Sequence, residues 1–303
     1  MRSLLASAIG LALAGAASAD APLQTLDEAW WTGPLIAAGA STLPQGHSLV
    51  EPYLLDIHSR DASNYATFSF LYYGFTDWLT IGVIPFAGYV VPKHGNSAAS
   101  YGDTEVQAQF RITAYDAASG TPALSAMIRE TVPSGNFDRL GDTPAAGLGG
   151  GATVTTFGLF GQTLAWMPNG RILRMRLDLF ESLPADTNLT DVSVYGTPSG
   201  FHGKAKLGAQ FQANAAFEYS ITREWVAALD VIYGVNNAGS VTGLVGRLPL
   251  DYSLGSSRPW AFAPALEYNW TSNYGVILGV RYIPQGRDVT ASVTPGIGVN
   301  MFF

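Results

Sequence analysis

Residues able to do chemistry are few and scattered in this chain. There is no Cys, which removes thiol nucleophiles, thiolate zinc sites and disulfide frameworks. The four His are His47, His58, His94 and His202. His94 with Asp103, or His202 with Asp191, could be drawn towards one metal ion. Neither pair has ligand spacing on a single element, so no metal and no cofactor is expected. Hydrolysis would need a Ser activated by a His. Ser97, Ser100 and Ser134 stand in loop-like sequence, as do His58 and His94, and no nucleophile motif surrounds them. Catalysis is therefore not expected.

Polar residues do recur in a pattern. From Asp103 to Ile112 the odd positions read Asp103, Glu105, Gln107, Gln109 and Arg111, and the even ones Thr104, Val106, Ala108, Phe110 and Ile112. That is the period of a strand with one polar and one apolar face. Arg174, Arg176 and Asp178 alternate in the same way with Leu173, Met175, Leu177 and Leu179. A third run, from Lys204 to Tyr219, puts Lys206, Gln210, Gln212, Asn214 and Glu218 on one face. It predicts a strand of about 16 residues, long beside the usual 5 or 6 of globular sheets. Arg129, Glu267 and Arg281 complete the polar set. Such groups can set the selectivity of a water-filled passage through charged rings, or pair with each other and fill it.

The elements that would carry these residues are strands near 47–57, 64–73, 78–90, 102–113, 121–131, 152–165, 171–182, 204–219, 225–235, 258–269, 275–284 and 290–302. Short connections alternate with longer ones at 91–101, 132–151, 183–203 and 236–257. The uncharged stretches are too short or too broken by Gly and Pro to be membrane helices, which need about 20 apolar residues. Short turns on one rim and long loops on the other describe an all-β, transmembrane, antiparallel up-and-down barrel of about 12 strands. Closure is what the bilayer demands, because an open edge there leaves backbone groups unpaired. Trp78, Trp166, Trp225 and Trp270 all lie beside short turns, where an interfacial belt would sit, and Trp260 opens a strand from the opposite rim. At the C-terminus Ile297, Val299, Met301 and Phe303 form one apolar face ending in an aromatic residue, similar to the assembly signal of bacterial outer-membrane barrels.

Composition agrees. Only 13% of the 303 residues are charged, about half the share usual in soluble domains. The net charge of −7 argues against nucleic acid as a partner. Arg2, the apolar run Leu4–Leu13 and the small residues Ala17 and Ala19 read as a signal peptide over 1–19, which implies export. Residues 20–45 precede the first strand as a periplasmic or plug segment, and 46–303 form the barrel. Trp30 and Trp31 are adjacent in that segment and need cover, which makes them candidates for a plug entering the lumen.

Several stretches resemble an outer-membrane family catalogued as the putative MetA-pathway of phenol degradation, often labelled simply as transporters. They include WTGPL at Trp31–Leu35, EPY at Glu51–Tyr53, GDTEVQAQFRI at Gly102–Ile112, VPSGNFDRL at Val132–Leu140 and EYSITREW at Glu218–Trp225. The resemblance implies a barrel in the bacterial outer membrane that admits small molecules, hydrophobic or aromatic compounds among them. No catalytic or binding residue carries over from it. The expected partners are outer-membrane lipid, the barrel-assembly machinery and a small solute. A structural or surface-binding barrel is the alternative, and a barrel-embedded lipid hydrolase a more distant one.

Overall fold

The structure is a computed structural model. It describes residues 22–60 and 62–303, so the expected signal at 1–19 lies outside the described residues. The strands, in chain order, are β1 (Ser48–Ser59), β2 (Ala62–Thr76), β3 (Leu79–Ile84 continuing as Phe86–Pro92) and β4 (Ala98–Tyr101, then Thr104–Thr113). They are followed by β5 (Ala123–Val132), β6 (Val154–Trp166), β7 (Ile172–Pro184 with Thr187–Thr190) and β8 (Phe201–Lys206, then Gln210–Ser220). Last come β9 (Trp225–Val245), β10 (Leu248–Ser257, then Trp260–Asn269), β11 (Tyr274–Ile283) and β12 (Ser292–Phe302).

Each strand pairs antiparallel with the next, and β12 pairs with β1 through Leu54↔Ile297 and Leu49↔Phe302. Ser48 and Phe303 exchange backbone hydrogen bonds of 3.1 and 2.9 Å at the seam. The result is a closed barrel of twelve strands. It leaves no edge, which is the condition for strands to cross a bilayer. Among the described residues no helix is long and apolar enough to do so.

Side-chain alternation decides what lies on each side. On β11, Val276, Leu278, Val280 and Tyr282 point outwards between the buried Gly275, Ile277 and Gly279. Neighbouring strands add Leu54, Leu266 and Ile297 to the same exposed apolar band. A continuous band of this kind belongs in hydrocarbon rather than water. Trp78, Trp225 and Trp270 mark its short-turn border, and Trp260 and Tyr282 the other. Trp166 departs from the sequence expectation. It turns inwards, where its indole N–H donates to Gln24 O at 2.8 Å.

The barrel rises beyond the apolar band on one side. Here the segment 236–257, expected as a loop, continues β9 and β10 as a long hairpin, and Thr187–Thr190 and Phe201–Lys206 pair beside it. Leu189, Phe201, Ala205 and Val241 pack inside this extension, with Phe137 and Tyr195 against them. The expected unbroken strand from 204 to 219 is also corrected. It is interrupted at 207–209, where Gly208 lies so close to the Asn237 carbonyl that a Cβ would stand 2.2 Å from its oxygen. The interruption moves the alternation by one residue. Phe201 and Ala205 face inwards above it, and Asn214, Ala216 and Glu218 below it. Lys206 consequently lies on the opposite face from Gln210, not with it.

Two long loops fold over the mouth. Asp103 accepts from Gly135 N at 2.9 Å and Gly150 N at 2.7 Å, which staples the loop at 133–151 to the break between the two parts of β4. Tyr195 donates its hydroxyl to Gly150 O at 2.5 Å. Burial raises that phenol to about 12, so it stays a neutral donor throughout the physiological range.

The strapped lumen as candidate functional site

Residues 24–45 run inside the barrel as a strap. It starts at the short-turn rim, where Gln24 N donates to Gly170 O at 2.9 Å and Trp30 N to Arg223 O at 3.0 Å. A single turn, Leu26–Glu28, is capped when Thr25 N donates to the Glu28 carboxylate at 3.0 Å. That backbone bond, with the Thr25 hydroxyl, lowers the Glu28 carboxyl from its ordinary value. The strap then crosses the lumen and returns to the same rim, where the Thr42 hydroxyl donates to Asp77 O at 2.6 Å.

Three carboxylates on the barrel wall hold the crossing. Glu267 on β10 accepts from Thr32 N at 2.7 Å and Gly33 N at 3.1 Å. Asp230 on β9 accepts from Ala37 N at 2.9 Å and Ile36 N at 3.2 Å. Asp178 on β7 accepts from Ala38 N at 2.7 Å. An extended segment away from any sheet has spare N–H groups, and hydrogen bonds to charged acceptors are roughly twice as strong as neutral ones. Glu267, Asp230 and Asp178 are fully buried as a result. Wall donors add to the grip: Gln109 Nε2 gives to Gly39 O at 2.8 Å and Arg176 Nη1 to Ala37 O at 3.0 Å. Apolar contacts complete it, with Leu35 against Tyr53, Ala263 and Ile277, and Ala40 against Ala123, Met127 and Phe160. Gly275 must lack a side chain here, because a Cβ would stand 2.2 Å from the Thr32 hydroxyl.

Most residues singled out in the sequence come together on this interior. Arg174 grips the buried Glu218 through two nitrogens, Nε at 2.7 Å, and Arg176 Nε pairs with the same carboxylate at 3.0 Å. Glu105 pairs with Arg129 at 3.1 Å, and Arg129 also donates to Gln107 Oε1 at 2.8 Å. Asn214 donates to Asp230 at 3.0 Å. Gln210, Gln212 and Arg281 line the open space. Arg111 does not join them; it is exposed near the short-turn rim, where its backbone N–H bonds Trp78 O. Trp31 lies under the Arg174 guanidinium at 4.5 Å, and Trp30 under Arg223 at 5.3 Å. Such stacking shields the cation and covers the ring together.

The remaining space is a cavity of about 1060 Å³. One of its walls was not visible in the sequence. Tyr53 on β1 stacks on Phe68 of β2 at 4.9 Å and meets Phe70 edge-on at 5.9 Å, and Phe70 leads to Tyr72 at 5.4 Å. Glu51 and Asp230 were also missed. Glu51 is buried beside this wall, accepting from the Tyr53 hydroxyl at 3.3 Å and Asn300 at 3.4 Å. A lone acid within the otherwise apolar stretch 225–235 was the available signal for Asp230.

His58, weighed in the sequence for hydrolysis, is not a lumen residue. Asp56 and His58 stand on the outward side of β1 with Leu54, where His58 Nε2 pairs with Asp56 at 2.9 Å and Nδ1 lies 3.3 Å from Ser63 Oγ. Among the described residues no three His, Asp or Glu are grouped to hold a metal.

Comparison with solved structures gives the same architecture. An outer-membrane channel from Pseudomonas putida F1 superposes with a TM-score of 0.65 at 13% identity, over 89% of this chain and 100% of the other. The NanC porin superposes at 0.50 and 12% identity, over 83% of this chain and 98% of its own. The fold is that of an outer-membrane β-barrel. No family model matches this chain, and no curated protein does.

Proposed function

We propose that the protein is an outer-membrane channel for small solutes that carry both an apolar ring and a polar group. The observation that carries this reading is the cavity itself. It lies within a closed barrel, has an aromatic wall on β1 and β2, and faces it with Glu105, Gln107, Arg129 and Arg174. Apolar surface takes the ring, and oriented donors and acceptors replace the water lost from its substituent. A lumen of this width is intermediate between small filled barrels and open porins. The strap narrows it further, so residues 24–45 of the segment expected at 20–45 serve as a plug that limits the size of what crosses. Resemblance to the MetA-pathway family of phenol degradation supports aromatic compounds as the solute class, and membership of that family is part of the proposal.

Proteoliposome swelling tests the reading. The intact barrel should admit monoaromatics in preference to sugars of similar mass, and a variant lacking residues 24–45 should lose that preference and conduct faster. Equal, negligible uptake of every solute by both proteins would overturn the channel reading.

A further inference from the structure

The ionic accounts of the lumen do not close, and the residue left over is Arg281. Each acid on the interior has a donor. Glu218 is taken by Arg174 and Arg176, Glu105 by Arg129, and Glu51 by Tyr53 and Asn300. Asp178 and Glu267 each accept through one oxygen, and Asp230 through both, from the strap's own N–H groups. Arg281 on β11 forms no ion pair among the described residues, and its buried Nε has no hydrogen-bond partner. It faces the open cavity just beyond the strap, two residues along β11 from Gly279, against which Leu35 is packed. Its Nε is buried without an acceptor while the rest of the half-buried guanidinium is open to the cavity, and a guanidinium's planar fork matches a carboxylate in two-point contact. The same cavity is bounded by Tyr53, Phe68, Phe70, Phe86 and Phe211.

We propose that Arg281 is the anion-binding point of a lumen site for small aromatic carboxylates, whose ring lies against the aromatic wall. This rests on the channel reading and narrows it: the preferred solute bears a negative charge as well as a ring. The site is a resting place along the passage, with a cation on one side of the ligand and an apolar face on the other.

Equilibrium titration of the detergent-solubilised barrel tests it without requiring conduction. Sodium benzoate should bind one to one. Sodium acetate, which lacks the ring, and benzyl alcohol, which lacks the charge, should each bind at least about tenfold more weakly. Arg281→Gln should reduce benzoate to the affinity of benzyl alcohol, while Arg281→Lys keeps part of the preference. Removing a half-buried charge that holds no ion pair does not threaten folding, so the Gln variant remains an assembled barrel. Phe68→Leu should weaken benzoate and leave acetate unchanged. Benzoate binding unaffected by Arg281→Gln, or no benzoate binding at all, would overturn the site. Either result alongside solute-selective swelling would leave the channel standing. Inorganic phosphate binding as tightly as benzoate would also refute it, since it would show a general anion point with no use for the ring.

Discussion

Leu278→Arg measures directly which medium bathes the outside of the barrel. Leu278 is 62% exposed and sits on β11 midway between Tyr274 and Tyr282, four residues from each. With about 3.4 Å per residue and a tilt near 40°, it lies roughly 10 Å from either aromatic border, close to the centre of an apolar band about 25 Å tall. A charged side chain there should cost about 2–4 kcal/mol. Phe110 supplies the internal control. It also faces outwards, but it stacks with Trp78 at 6.3 Å beside the short-turn rim. A position next to the interface lets an Arg reach the headgroups, so Phe110→Arg should cost only about 0–1 kcal/mol. Reversible denaturant unfolding in phospholipid vesicles, followed by tryptophan fluorescence, gives both numbers. Equal costs at the two sites, or a neutral Leu278→Arg, would refute the placement of the band and with it the inside and outside of every strand.

Other perturbations probe the interior and the rims. Glu218→Ala leaves Arg174 and Arg176 buried without their shared acceptor and should destabilise the barrel by about 3–5 kcal/mol in the same assay. Asp178→Asn, Asp230→Asn and Glu267→Gln together should loosen the strap, seen as proteolysis near residues 30–40 in a barrel that is otherwise resistant; an intact strap would mean that its apolar contacts suffice. At the β4–β5 turn, the Ser119 hydroxyl and then Ala118 N lower the Asp116 carboxyl from its ordinary value. A depressed carboxyl contributes stability that is present above the unfolded value, near 3.9, and is lost as pH falls through the lower folded one. Exchange of the Ala118 amide should therefore accelerate between about pH 5 and about pH 2 relative to its intrinsic rate, and Asp116→Asn should abolish that dependence. The Asp56–His58–Ser63 chain on the outer wall should be catalytically silent: ester hydrolysis by purified protein that disappears in Ser63→Ala would restore the hydrolase alternative.

What the sequence revealed depended on contrast between the two faces of a strand. From Glu105 to Gln109 on β4 and from Arg174 to Asp178 on β7 the inward residues are polar and those between them apolar, so Gln109 and Arg176 could be assigned from alternation alone. On β2 the contrast vanishes, because Phe68, Phe70 and Tyr72 inside alternate with the exposed Tyr65, Leu71 and Tyr73 outside. An aromatic lumen wall against a lipid-facing one has no period in hydropathy. Lys206 was misplaced for a different reason: a one-residue irregularity at Gly208 reverses the alternation while the amino-acid pattern reads on undisturbed. Trp166 has the composition of an interfacial residue and the partner of an interior one, and only Gln24 distinguishes them. The strap was legible as a segment in need of cover, but its path was not. Its contacts are made largely by backbone N–H groups, which every residue except Pro possesses.

That last property has a consequence for how the passage can change. The barrel holds Thr32 and Leu35 by their side chains as well, but it recognises Ile36 and Ala38 chiefly by their peptide groups and so asks little of the side chains at those two positions. Substituting the exposed Ile36 or the half-covered Ala38 would alter the surface the strap presents to the lumen without releasing the segment itself. In the proposed channel, selectivity and anchoring are thereby assigned to different atoms of the same few residues, and the first can be rewritten while the second stays fixed.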